Sequence, residues 1–243
     1  MTTTALPVTT ASWNEPEGVA ARGTVVVLSG RGETATAYGR LGRRVSADAY
    51  RVRVVEVDLD ELEQTRKRVL EVLDDADPST PRVLLGSDTG ATFAALLLAD
   101  LPVDAAVLAG LTLPASVSPH GSWEDELEVR TACPAHRRVI TEDPGFERGA
   151  LSRALPDEWH SLTLPVTAKP TLVLHGSLDP VTEPGLAFGA FAKAPLARLH
   201  LVENGHHDVL NDVMHRSVAA TIVLFLESLK LGADLPAVVR EVR

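Results

Sequence analysis

The chain has 243 residues, enough for one sizeable core, and its 45% apolar and 23% charged content is ordinary for a soluble globular protein. A formal net charge of −10, with no basic cluster or tail along the sequence, argues against nucleic acid and anionic membranes as partners. Cys133 is the only cysteine, which excludes an intramolecular disulfide and a cysteine-built metal site.

Residues 1–22 are polar and rich in Thr and Ala, and read as a loose arm with at most one short edge strand. Met1 to Pro7 carry no basic stretch followed by an apolar one, so no signal peptide is expected. No apolar run approaches the roughly 18 residues of a membrane span, and a cytoplasmic location follows as the default. Thr24-Val25-Val26-Val27-Leu28 is a buried-strand signal, β-branched and bounded by glycines. Residues 34–48 then read as a helix, 51–57 as a strand, and 60–73 as a helix by the spacing of Leu62, Val69, Leu70 and Leu73. A strand over 82–85, a helix over 91–99 and a strand over 105–109 continue the alternation.

Residues 112–168 break the rhythm with prolines, Trp123, Trp159 and short helical pieces, and are read as an inserted cap. Strands resume at 171–174 and 198–202, and an amphipathic helix is predicted over 209–229. Strands alternating with helices predict an α/β architecture, a mostly parallel sheet covered on both faces. The core comprises 1–111 and 169–243, and the cap is expected to lie over the C-terminal strand edge, where ligands bind in open α/β sheets.

Three segments carry chemistry. Gly86-Ser87-Asp88-Thr89-Gly90 sits between a strand and a helix, the context of a G-x-S-x-G nucleophile elbow with Asp88 at its centre. His175-Gly176-Ser177-Leu178-Asp179-Pro180 delivers a carboxylate from a strand end, and Asn204-Gly205-His206-His207-Asp208 delivers histidine ahead of a helix. Nucleophile, acid, histidine is the chain order of α/β-hydrolases.

On these residues the chain resembles the α/β-hydrolases, in particular the monoglyceride lipase and lysophospholipase branch. That branch carries H-G-x-G-E-H after its first central strand and a histidine followed by E-x-L-N-E near its end. The matching segments are Ser29-Gly30-Arg31-Gly32-Glu33-Thr34 and His207-Asp208-Val209-Leu210-Asn211-Asp212. Ser29 replaces the branch's histidine, and Asp88 replaces its serine.

The resemblance implies roles by position. Asp88 stands as nucleophile, His207 as general base and Asp179 as the acceptor that orients the imidazole. The backbone N–H groups of Arg31 and Thr89 take the oxyanion-hole positions. Serine needs histidine to remove its proton before attack, whereas an aspartate, with a reference pKa of about 3.9, is already ionised. His207 then works in the second step, activating water against an enzyme ester. Asp-nucleophile families usually place tryptophan after the aspartate, where this chain has Thr89, and epoxide hydrolases use cap tyrosines, which are absent here.

The reading is therefore a hydrolase of a small organic substrate acting through an Asp88-His207-Asp179 triad, without metal or organic cofactor. Trp123, His136 and Trp159 are the candidates for substrate contact in the cap, with His120 and His160 as further polar groups. His206 is the rival base and Ser87 the rival nucleophile. The Arg31 side chain is expected to be solvated, and Glu33 to be structural. Two other readings stay open: an esterase, lactonase or lipase-like enzyme with Asp88 as base or unusual nucleophile, and a binding protein or non-hydrolytic cyclase or lyase on the same scaffold.

Overall fold

A computed structural model describes residues 10–117, 121–240 and 242. Seven strands form one sheet: β1 (Ala11–Trp13), β2 (Gly23–Leu28), β3 (Tyr50–Val55), β4 (Arg82–Ser87), β5 (Ala105–Ala109), β6 (Thr171–Gly176) and β7 (Ala197–Val202). Their order is β1-β3-β2-β4-β5-β6-β7. β1 runs antiparallel along β3, and the other neighbours pair in parallel. β2, β5 and β6 are buried along their whole length, which is why their sequences are continuous apolar runs rather than alternating ones.

Helices cover both faces. α1 (Gly39–Ala47) and α7 (His215–Leu231) pack through Leu41, Val45, Val218, Ile222 and Phe225 on one side. α2 (Leu62–Asp74) and α3 (Thr89–Asp100) pack through Val69, Leu73, Phe93 and Leu98 on the other. α6 (Pro184–Gly189) lies between β6 and β7 and is too short for a helical period to reveal in the sequence. The predicted helix over 34–48 divides into a 3-10 turn, Ala35–Tyr38, and α1.

The helix predicted from Val209 begins six residues later, at His215. The intervening backbone is held by tertiary bonds instead: Asp208 N–H donates to the Arg130 carbonyl at 2.9 Å, and the Asp212 carboxylate accepts from Ala132 N–H at 2.8 Å. Groups paired in this way are withdrawn from a helical ladder.

Within 112–168, the described residues hold α4 (Trp123–Arg130), α5 (Pro134–Glu142) and two 3-10 turns. Ser122 and Asp125 start α4 with a reciprocal capping box. The segment is bonded to two loops at the C-terminal strand edge. Glu147 N–H donates to Gly32 O at 2.9 Å, and the Arg130 guanidinium donates to Arg31 O at 2.8 Å. His207 N–H donates to Val129 O at 3.2 Å. No helix among the described residues is long and apolar enough to cross a membrane.

The absence of a basic cluster is corrected by the fold. α1 and the start of α7 bring Arg40, Arg43, Arg44, His215 and Arg216 to the wall of one cavity. The first three recur on one face of α1 at helical spacing, but their meeting with His215 and Arg216 is a tertiary event.

Candidate active site

β4 ends at Ser87, and Asp88 turns the chain into α3 with φ 52° and ψ −122°. Positive φ is uncommon for a residue with a Cβ, and here it lifts the side chain off the strand-to-helix turn. The flanking glycines make this possible. A Cβ on Gly86 would lie 2.2 Å from the Gly90 carbonyl oxygen, and one on Gly90 would lie 2.4 Å from those of Leu28 and Ser29.

Asp179 follows β6, and its Oδ1 accepts from the N–H groups of Val181 and Thr182 at 2.8 and 3.3 Å. His207 lies in the loop between β7 and α7. Its Nδ1 is 2.9 Å from Asp179 Oδ2, and its Nε2 is 3.1 Å from Asp88 Oδ1. The three residues meet in the order read from the sequence. His206 instead bonds Asp212 Oδ2 through Nδ1 at 3.0 Å and stands outside this chain of contacts.

Arg31 departs from expectation. Its side chain is not solvated but buried, at 2% exposure, and grips Asp88. Nη2 donates to Asp88 Oδ1 at 2.8 Å and Nε to Oδ2 at 2.9 Å, while the Arg31 backbone N–H also donates to Oδ2 at 2.8 Å. Nη1 reaches Leu151 O at 3.0 Å. Burial is tolerated because the guanidinium has a counter-charge and its donors have acceptors.

Thr112 Oγ1 donates to Asp88 Oδ1 at 2.5 Å, and Thr89 Oγ1 to Oδ2 at 3.5 Å. Asp88 is 2% exposed, and both of its oxygens are saturated. Thr112 and the Leu151 carbonyl had no signal in the sequence. His175 did, since it opens the segment that carries Asp179. Its Nε2 lies 2.8 Å from Thr182 O and 3.0 Å from Asp179 Oδ2, so it helps fix the acid.

The charges reinforce one another. Burial opposes ionisation of Asp88, but the Arg31 guanidinium and the His207 bond outweigh it and hold the carboxyl well below the usual range. Burial likewise opposes a charged His207. The Asp179 carboxylate, aided by Asp88, overrides it and raises the imidazole to about 10. At neutral pH the resting site therefore holds an imidazolium between two carboxylates, with Arg31 as a second cation.

Glu33 lies behind the Arg31 loop, accepting from Gly30 N–H at 3.0 Å and from the Tyr38 hydroxyl. Burial, with the Asp208 charge adding to it and Arg130 opposing, raises its carboxyl to about 6.

The substrate-contact candidates lie elsewhere. Trp159 is 3% exposed within the hydrophobic core on the α3 side. His136 is buried with Nε2 2.6 Å from Asp208 Oδ2. Trp123 packs on Phe146 at 5.5 Å between ring centroids, with the Arg148 guanidinium over the Trp123 ring at 5.1 Å. None of the three is hydrogen-bonded to Asp88, His207 or Asp179 among the described residues. His160 is exposed, and His120 lies outside the described residues.

The sheet order, the crossover helices and the strand-to-helix turn at Asp88 define an α/β-hydrolase fold. Solved structures of that fold superimpose over nearly the whole chain. The monoacylglycerol lipase of Paleococcus ferrophilus is 18% identical with a TM-score of 0.68, covering 90% of this chain and 97% of its own. An esterase from Exiguobacterium antarcticum is 17% identical with a TM-score of 0.65, covering 89% and 94%. A soluble variant of the Saccharomyces cerevisiae monoglyceride lipase is 14% identical with a TM-score of 0.63, covering 90% and 89%. No protein-family model matches the sequence, and no curated protein matches it.

Proposed function

We propose that the protein is a hydrolase of a small organic substrate that works through a covalent ester on Asp88. The observation that carries this reading is the split environment of the Asp88 carboxylate. Oδ2 rests on the Arg31 backbone N–H, where an ester carbonyl oxygen would need a donor, while Oδ1 faces His207 Nε2. In the first step Oδ1 forms a bond to an electrophilic substrate carbon, and the leaving group departs with the electron pair. Esterification removes the Asp88 charge, and with it one of the two anions that hold His207 protonated.

The imidazolium passes its Nε2 proton to the departing leaving group or to solvent, and the neutral His207 then takes a proton from water, whose oxygen attacks the Asp88 carboxyl carbon. The negative charge collects on Oδ2 beside Arg31 N–H. Collapse breaks the bond between Cγ and Oδ1, and the departing alkoxide takes the proton from His207. Asp179 keeps the imidazole oriented throughout. Segment 112–168 serves as the cap in this reading, and the Arg31 guanidinium must withdraw from Oδ1 before substrate can approach. Neither a metal nor an organic cofactor enters the scheme, and the protein would act in the cytoplasm without nucleic acid or a membrane as partner.

A second reading rests on that same guanidinium. Because Arg31 engages both carboxylate oxygens, the scaffold would be a binding protein or a non-hydrolytic lyase in which the pair is structural.

The test is a panel of epoxides, haloacids, lactones and aryl esters, followed by a single turnover in ¹⁸O water with any substrate processed. Label entering Asp88 first, and a mass adduct trapped by His207→Gln, are the expected results. Label confined to product rejects the enzyme ester, and turnover unchanged in Asp88→Asn rejects any catalytic role for the carboxylate. No turnover across the panel, with Asp88→Asn altering stability alone, favours the second reading.

A further inference from the structure

On the face of the sheet covered by α1 and α7, lined by none of the residues hydrogen-bonded to Asp88, lies a cavity of about 460 Å³. That is within the range of small-molecule sites. Its rim carries Arg40, Arg43, Arg44, His215 and Arg216, and no acidic residue lines it. Leu41 and Leu210, each 3% exposed, form an apolar floor. In a chain of net charge −10, this is a local inversion of sign.

The neighbouring acids do not neutralise it. Asp48 lies 3.5 Å from Arg44 alone. Asp212 is turned inward onto Thr131, Ala132 and His206. Arg40 is held by the Asn211 carbonyl at 2.5 Å, which fixes one guanidinium at the rim. The side chains of Arg43 and Arg216 have no hydrogen bond or ion pair among the described residues. Converging guanidinium groups repel one another, and that repulsion is relieved by a bound anion.

The cavity also meets the start of α7. The N–H groups of Arg216 and Ser217 have no acceptor among the described residues, and the dipole of this 17-residue helix adds positive potential there. Several guanidinium forks beside free backbone N–H groups suit a multi-oxygen dianion better than a single carboxylate.

We infer that this cavity binds the phosphate of a small amphiphile, with the phosphoryl oxygens on the arginine rim and an apolar stem on Leu41 and Leu210. A free organic phosphate and a phosphomonoester lipid headgroup present the same chemistry.

Calorimetric titration of the full chain with octyl phosphate and with inorganic pyrophosphate tests the site. Co-sedimentation with phosphatidylcholine vesicles, with and without phosphatidic acid, separates the two sources. Octyl phosphate is expected to bind one-to-one, more tightly than pyrophosphate, and more weakly at high salt. Each of Arg43→Gln and Arg216→Gln should weaken binding by about tenfold, the loss of one charged hydrogen-bond partner. Both side chains are exposed, so the variants should fold, and Lys67→Gln on α2 across the sheet should bind as the unaltered protein does.

Vesicle binding that requires phosphatidic acid and is lost in both arginine variants assigns the site to a lipid headgroup. Octyl phosphate binding without vesicle binding assigns it to a free phosphate. No binding of either probe, or equal affinity in the arginine variants, overturns the proposal.

Discussion

Arg31 and Asp88, separated by 57 residues in the chain, form a forked ion pair inside the protein, with both side chains 2% exposed. The pair occupies the centre of the strand-end site, and Leu151 O and Thr112 Oγ1 complete its hydrogen bonding.

Removing one member leaves the other as a buried, uncompensated charge. Arg31→Leu should therefore destabilise the fold by about 3–5 kcal/mol, far more than loss of an exposed pair. Arg31→Leu combined with Asp88→Asn should recover much of that loss, because no isolated charge remains. Urea unfolding of the two single variants and the double variant, analysed as a cycle, measures the coupling. Additive effects would count against the pair.

His207 makes stability depend on alkaline pH. Its folded value, raised to about 10, exceeds the ordinary histidine value of 6.5. The native state thus holds the proton more tightly than the unfolded chain. This contribution is complete below 6.5 and is lost as pH rises through 10, with a slope approaching about 1.4 kcal/mol per pH unit. Unfolding free energy measured from neutral to pH 10 should fall, and His207→Gln should flatten the profile.

The elbow glycines should resist even a methyl group. Gly86→Ala and Gly90→Ala would drive Cβ into backbone atoms at 2.2 and 2.4 Å, which cannot yield as a flexible side chain does. Losses at or above the upper end of about 1–3 kcal/mol are expected, read from thermal melting and soluble yield. Gly189→Ala, with open space around its Cβ, should be neutral or slightly stabilising.

Exchanging the central acid tests what the rest of the site can do. Asp88→Ser alone leaves Arg31 buried without its counter-ion, so it should be unstable and inactive. Asp88→Ser with Arg31→Leu should gain slow aryl-ester hydrolysis that His207→Gln abolishes. A double variant that folds and binds aryl esters yet shows no gain would show that the base or the oxyanion donors are not competent.

Much of this was legible in the chain itself. Apolar runs such as Val25 to Leu28 and Ala105 to Ala109 specify buried parallel strands, because a strand covered on both faces has no polar side to show. The turn at Asp88 was legible for the same local reason. It needs glycine at positions 86 and 90, and those residues lie within four positions of each other. Chain order alone singled out Asp179 and the paired histidines.

Other features depended on distance through space. The sequence carries a helical pattern from Val209, yet Asp208 is claimed by the end of α4 and Asp212 by the residues between α4 and α5, and the helix waits until His215. An arginine in a glycine-rich loop reads as solvated until the fold sets a carboxylate 2.8 Å away. The four arginines around the α1–α7 cavity are scattered over two segments, and a net charge of −10 conceals them. Local sequence determined the strands, the elbow and the triad order through backbone sterics and apolar periodicity. Only tertiary structure decided which charges meet, because burial and pairing of a charge depend on partners brought from far along the chain.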